Sequence, residues 1–172
     1  MRIPVSILFA LVLTACSSPE STETGSPPAE AGPPHVVATS SIEAGRYLVT
    51  VGGCNDCHTD GYLATGGDVP EEAWLLGSAL GWRGPWGTTY PKNLRLTAAS
   101  ITEDAWVGLL HSGGGLPPMP WMNVARISDA DARAIYQYVR SLGSAGEVMP
   151  APVPPDQEPA TPYILLAPVE PR

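Results

Sequence analysis

Apolar residues recur at helical spacing in three stretches of this chain, and each stretch opens on a hydroxyl residue. Ser40-Ser41-Ile42-Glu43 sets a serine three positions before a glutamate, a pattern that satisfies otherwise orphaned backbone donors at a helix start. It predicts a helix to about Val51 with Ile42, Tyr47, Leu48 and Val51 as the apolar face, stopped by Gly52-Gly53. Gly45 inside this helix costs about 1 kcal/mol relative to alanine, which predicts a close neighbour at that point. Ser100-Ile101-Thr102-Glu103 repeats the pattern and predicts a second helix to about Ser112, with Ile101, Trp106, Leu109 and Leu110 making contacts. Ser128-Asp129-Ala130-Asp131 opens the last helix, whose buried face is Ala132, Ile135, Tyr136, Tyr138, Val139 and Leu142, with Gly143 as the stop.

Between the helices the pattern breaks down. From Thr59 to Pro91 the Gly and Pro density predicts loops, with one short helical turn at Pro70–Leu75. Gly81-Trp82-Arg83-Gly84-Pro85-Trp86-Gly87 reads as a rigid aromatic loop whose tryptophans fill the core or line a ligand pocket. Residues 17–39 have too little apolar content to offset their ordering entropy and read as a disordered tether, with His35 solvated. Beyond Gly146 the chain is Pro-rich, and its apolar island Tyr163-Ile164-Leu165-Leu166 reads as a surface strap or a partner-docking segment. The expected organisation is therefore 1–15 targeting segment, 16–39 tether, 40–145 folded domain and 146–172 Pro-rich tail.

Composition narrows the possibilities. The chain has 172 residues, 20 Pro and 18 Gly, a load too high for every part to be packed. Its formal charge is -8, and Lys92 is its single lysine, which argues against nucleic acid as a partner. The N-terminus carries Arg2 and a short apolar run from Val5 to Leu13, well below the ~20 residues of a membrane span. That run ends in Leu13-Thr14-Ala15-Cys16, which resembles the lipobox of bacterial lipoproteins; the alternative is an ordinary signal peptide cut after Ala15. The lipobox reading implies lipidation at Cys16 and anchoring on the periplasmic side of a bacterial membrane. Ser17 after the cysteine resembles the pattern of outer-membrane sorting. Of the three cysteines, only Cys54 and Cys57 then remain.

Those two lie in Cys54-Asn55-Asp56-Cys57-His58. Two thiols three positions apart can add to the two vinyl groups of a haem, and the histidine that follows can ligate its iron. Asn55 and Asp56 read as polar spacers. In Leu116-Pro117-Pro118-Met119-Pro120-Trp121-Met122, prolines on both sides fix the backbone around Met119. A lone methionine is ordinary core filler, but beside a haem motif a thioether is a sixth ligand, and Met119 fits better than Met122. Arg83 and the indole N–H groups of the 81–87 stretch are then expected to face haem propionates. His111 reads as a helix C-terminal residue interacting with the dipole.

From about residue 42 to 143 the chain resembles a class I c-type cytochrome. Gly45-Arg46-Tyr47-Leu48 and Ile135–Leu142 resemble the family's two crossed helices, with Gly45 and Tyr138 at their contact. Tyr90-Pro91-Lys92-Asn93-Leu94 with Pro118-Met119-Pro120-Trp121 is similar to monohaem cytochrome subunits of periplasmic dehydrogenases. The resemblance implies an all-α fold of about three to four helices wrapped around one covalent haem c. It implies thioether bonds at Cys54 and Cys57, axial ligation by His58 and Met119, and one-electron transfer to redox partner proteins rather than catalysis on a substrate. The protein would work as a monomer or as a subunit of a dehydrogenase or oxidase. No counterpart of the family's proline carbonyl, which orients the axial imidazole, stands out; Pro70 is the nearest candidate. Three other chemistries compete: a haem enzyme or gas or redox sensor with an open sixth position, for which His111 is the distal candidate; a thiol–disulfide oxidoreductase using Cys54 and Cys57; and a zinc site with distant partners.

Overall fold

A computed structural model describes residues 32–168, so the expected targeting segment, Cys16 and most of the expected tether lie outside the described residues. Helix α1 (Ser41–Val51) begins where the sequence predicts, with Ser40 Oγ accepting from Glu43 N at 3.1 Å. Gly53, at φ +68°, then turns the chain by a left-handed step that a side chain would resist, and α2 (Cys54–His58) follows at once. A single 3-10 turn at Glu71–Ala73 marks the short turn expected after Pro70. Strands β1 (Gly81–Gly84) and β2 (Gly87–Thr89) lead into α3 (Leu94–Ser100), α4 (Glu103–His111), α5 (Trp121–Val124) and α6 (Asp129–Ser141), and β3 (Tyr163–Leu165) comes last.

The all-α expectation is corrected. The described chain contains a three-stranded sheet in the order β2-β1-β3, giving a mixed α/β fold with 38% helix and 9% strand. The 81–87 stretch is an antiparallel hairpin in which Trp82 pairs with Thr89 and Gly84 with Gly87. β3 comes from the Pro-rich tail and lies parallel to β1, pairing Gly81 with Tyr163 and Arg83 with Leu165. Proline confines strands to edges and ends, and the tail conforms: its short run between Pro162 and Pro168 forms an outer strand of the sheet.

The second helix also differs from its prediction. Thr102, rather than Ser100, caps α4, its Oγ1 accepting from Ala105 N at 3.2 Å. Ser100 instead ends α3, a helix the spacing does not predict, which is capped by Asn93. The tether ends earlier than expected, since Val36 N donates to Asp131 Oδ1 at 2.8 Å and Thr39 N to Glu43 at 3.1 Å.

α1 and α6 form the principal helix pair. α1 turns Ala44, Gly45 and Val49 inward, while Ile42, Tyr47 and Val51, the expected apolar face, are about half exposed or more. The reason is distance. A Cβ on Gly45 would overlap the Ala134 carbonyl and lie 2.7 Å from Tyr138 Cβ, so the helices approach backbone to backbone and the small residues must face inward. Around this contact Val49, Leu75, Trp106, Ile135, Tyr138 and Val139 form the core, reinforced from α3 by Ala98. Above it, Tyr138 Oη donates to Glu71 Oε1 at 2.7 Å, and Arg46 Nε donates to the same carboxylate at 2.9 Å. The Arg46 guanidinium and the Tyr138 hydroxyl hold Glu71 below its ordinary pKa.

Gly45→Ala is expected to cost about 3 kcal/mol, the upper end for overpacking, whereas Gly108→Ala, with nothing within 4 Å of its would-be Cβ, is expected to be neutral or stabilising; denaturant unfolding of both variants checks this. Because Glu71 is depressed in the folded chain, its contribution is complete above its unfolded pKa and is lost as pH falls through the folded value. Glu71→Gln is therefore expected to lower stability at neutral pH and flatten the acid limb of a melting-temperature profile.

Candidate functional site

One helical turn carries Cys54, Cys57 and His58. Both thiols are unpaired and half-buried. Burial pushes the Cys54 thiol up to about 11, and burial with Asp56 raises Cys57 as well. Both are protonated at neutral pH, the opposite of the depressed thiol pKa on which a thiol–disulfide oxidoreductase relies.

His58 is buried, 8% exposed, and its Nδ1 lies 2.7 Å from the Lys92 carbonyl. A carbonyl can only accept, so Nδ1 carries the proton and Nε2 keeps its lone pair. No described residue hydrogen-bonds to Nε2. Burial lowers the imidazole pKa, against the opposing pull of the carbonyl, so the ring is neutral and has one nitrogen free to ligate. The carbonyl on the imidazole is that of Lys92 and not of Pro70. A main-chain oxygen leaves no mark in residue identity, so only its place just after Pro91 could have hinted at it.

Asn55 is a second residue the sequence undervalued. It is fully buried rather than a polar spacer, and its Oδ1 accepts from Thr59 Oγ1 at 2.7 Å. Thr59 Oγ1 in turn accepts from Leu75 N at 2.8 Å, and Leu75 O accepts from Leu94 N at 2.9 Å. Leu75 is thereby held at φ +62°, a left-handed conformation that costs a side-chain-bearing residue about 1–2 kcal/mol. The turn bearing the motif is thus tied through buried bonds to the start of α3.

Met119 lies in the loop between α4 and α5 and is half-buried, while Met122 on α5 is 70% exposed. The loop is fastened to the hairpin, since Thr89 Oγ1 donates to the Pro117 carbonyl at 2.6 Å. Beside Met119, the Trp121 ring covers Gly115. The buried indole N–H groups of Trp86, Trp106 and Trp121 have no acceptor among the described residues.

Arg83 does not fit its expected role. Its guanidinium donates to Thr88 Oγ1 and to the Gln157 and Pro155 carbonyls, faces Glu158 at 3.5 Å and lies over the Tyr163 ring. It is committed to the tail. His111 is likewise engaged, with Nε2 on the Ile127 carbonyl at 2.8 Å and Nδ1 3.7 Å from Asp129. His35 is exposed, with Nδ1 3.2 Å from the Pro33 carbonyl. Among the described residues no group of three or more His, Cys, Asp and Glu side chains is placed to hold a bare metal ion, so a zinc site lacks its donors there. No described helix is long and apolar enough to cross a membrane. A cleft of about 320 Å³ opens beside Cys57, lined by Tyr62, Leu63, Leu80, Trp82 and Ile164 together with Asp56 and Asp60. It reaches neither His58 nor Met119.

Thr89→Val is expected to free the methionine loop from the hairpin. Hydrogen exchange at the Trp121 and Val124 amides is expected to quicken about tenfold, the worth of one net hydrogen bond, while the Val49 amide is unchanged. Compared with family profiles, with curated proteins and with solved structures, the chain matches none.

Proposed function

We propose that this chain is a one-electron carrier in which Cys54 and Cys57 would bind one haem c covalently and His58 and Met119 would hold its iron. The observation that carries the reading is the His58–Lys92 hydrogen bond. It fixes the tautomer and orientation of a buried imidazole that directly follows two unpaired thiols on one turn, as a metal-ligating histidine requires. The residues present fit the group. The thiols are unpaired, and the His58 Nε2 opposite the Lys92 contact has no partner among the described residues, so the motif's own atoms are available to the group.

A haem held by Cys54, Cys57, His58 and Met119 would supply a one-electron couple. The protein's part is to hold and to exclude. His58 stays neutral and aimed by Lys92, the fastened Pro117–Pro120 loop presents a thioether that raises the potential, and no side chain needs to act as acid, base or nucleophile. Half-buried Met119 suits the sixth position better than exposed Met122. The alternative of an open sixth position loses its distal candidate, because both ring nitrogens of His111 face partners of their own. The net charge of -8 favours a redox partner with a basic docking patch and a small, salt-sensitive interface. Lipid anchoring at Cys16 on the periplasmic side of a bacterial membrane, preferentially the outer one, belongs to the same proposal.

The test is a visible spectrum of the protein matured in a periplasm. The ferric form is expected to show the far-red band of methionine ligation, and the ferrous form to resist carbon monoxide. Met119→Ala should abolish the band and admit carbon monoxide, while Met122→Ala should do neither. Colourless protein, or a wild type that binds carbon monoxide readily, would overturn the reading.

A further inference from the structure

The carbonyl that aims His58 belongs to Lys92, and Lys92 is exposed. Its own side chain therefore fixes nothing, and the oxygen must be held by its neighbours. Asn93, 4% exposed, is the neighbour that does most. Its Oδ1 accepts from Leu96 N at 3.0 Å and caps α3. Its Nδ2 donates to the Ala145 carbonyl at 2.8 Å and to the Glu147 carbonyl at 3.2 Å. The amide thus closes one ring of contacts around the residue after Lys92, from the start of α3 to the first residues of the tail. Two residues further along the tail, Met149 lies over Gly77, where a Cβ would come within 2.5 Å of the Met149 Cγ, 2.7 Å of the Pro91 oxygen and 2.8 Å of Asn93 N. Gly77 N in turn donates to the His58 carbonyl at 2.8 Å. The Pro91–Asn93 segment is held between the motif's own turn on one side and residues 145–149 on the other.

We infer that Asn93 is a positioning residue for the His58 imidazole, and that the first residues of the tail, through their bonds to Asn93, set the strength of the Nδ1–H hydrogen bond to Lys92. The tail then has a task beyond completing the sheet. A firmly held acceptor makes the imidazole a stronger donor to a metal; a looser one makes it weaker. This inference rests on the proposed haem ligation for its electrochemical readout, but not for its structural one.

Asn93→Asp separates the two roles of the side chain. The carboxylate keeps the acceptor that caps α3 and loses both donors to the Ala145 and Glu147 carbonyls. Thr102→Ala, which removes the α4 cap, serves as a control that destabilises the fold away from Lys92. In the full-length protein, NMR of the ferrous form follows exchange of the His58 Nδ1 proton, and voltammetry follows the reduction potential. Asn93→Asp is expected to speed Nδ1 proton exchange about tenfold, as the loss of holding bonds dictates, and to shift the potential to a more positive value, because a weaker donor stabilises the ferric state less. Thr102→Ala should change neither. If Asn93→Asp leaves the ring proton as protected as in the wild type, or if Thr102→Ala moves the potential and the ring proton equally, the inference is overturned. Protein that carries no haem would defeat the electron-carrier proposal alone, since the same ring proton can be followed in colourless material.

Discussion

The contact between Gly45 and the backbone of Ala134 is the constraint on which the rest of the fold depends. It brings α1 within side-chain reach of α6 and chooses which face of α1 is buried, so larger apolar residues such as Tyr47 and Val51 stay outside. Because α2 follows α1 after only a glycine step, fixing α1 also fixes where Cys54, Cys57 and His58 begin. The Arg46–Glu71–Tyr138 cluster then binds the 3-10 turn at Glu71–Ala73 to the same helix pair. The site is built outward from a helix contact, and its loops are secured by hydrogen bonds to backbone carbonyls.

Those hydrogen bonds share one character. Lys92 holds His58, the Pro117 carbonyl holds Thr89, and the Ala145 and Glu147 carbonyls hold Asn93. In each case a side chain reaches a main-chain acceptor far away in sequence. Segments rich in proline lack donors but keep every acceptor, so a Pro-rich loop is well suited to receive such bonds. Such bonds help to keep the connections between the described helices and strands in place in a chain with 20 prolines.

Much of this was legible in the residues, and the limits have physical causes. Ser40 and Ser128 announce α1 and α6 because capping is local, requiring only a hydroxyl and the next turn. Ser100 misled, because a second hydroxyl at Thr102 offered a competing cap two positions on, and the chain used the gap to end α3. The motif at Cys54–His58 is readable by spacing alone. The sheet was not, because β1 is only four residues long with glycine at both ends, and β3 lies at the far end of the chain. Asn55 and Lys92 were invisible for a different reason. Burial gives the first its role and a backbone oxygen gives the second its role, and neither property is written in a residue's name.

The parallel pairing of β1 with β3 joins a strand near the middle of the chain to one beside its C-terminus. Until β3 is in place, the hairpin has one edge of unpaired amides and carbonyls, a template for unwanted association. Pairing with β3 covers that side of β1. Losing Tyr163–Leu165 would bare the β1 backbone on that side and trade a pairing within the chain for the chance of one between chains.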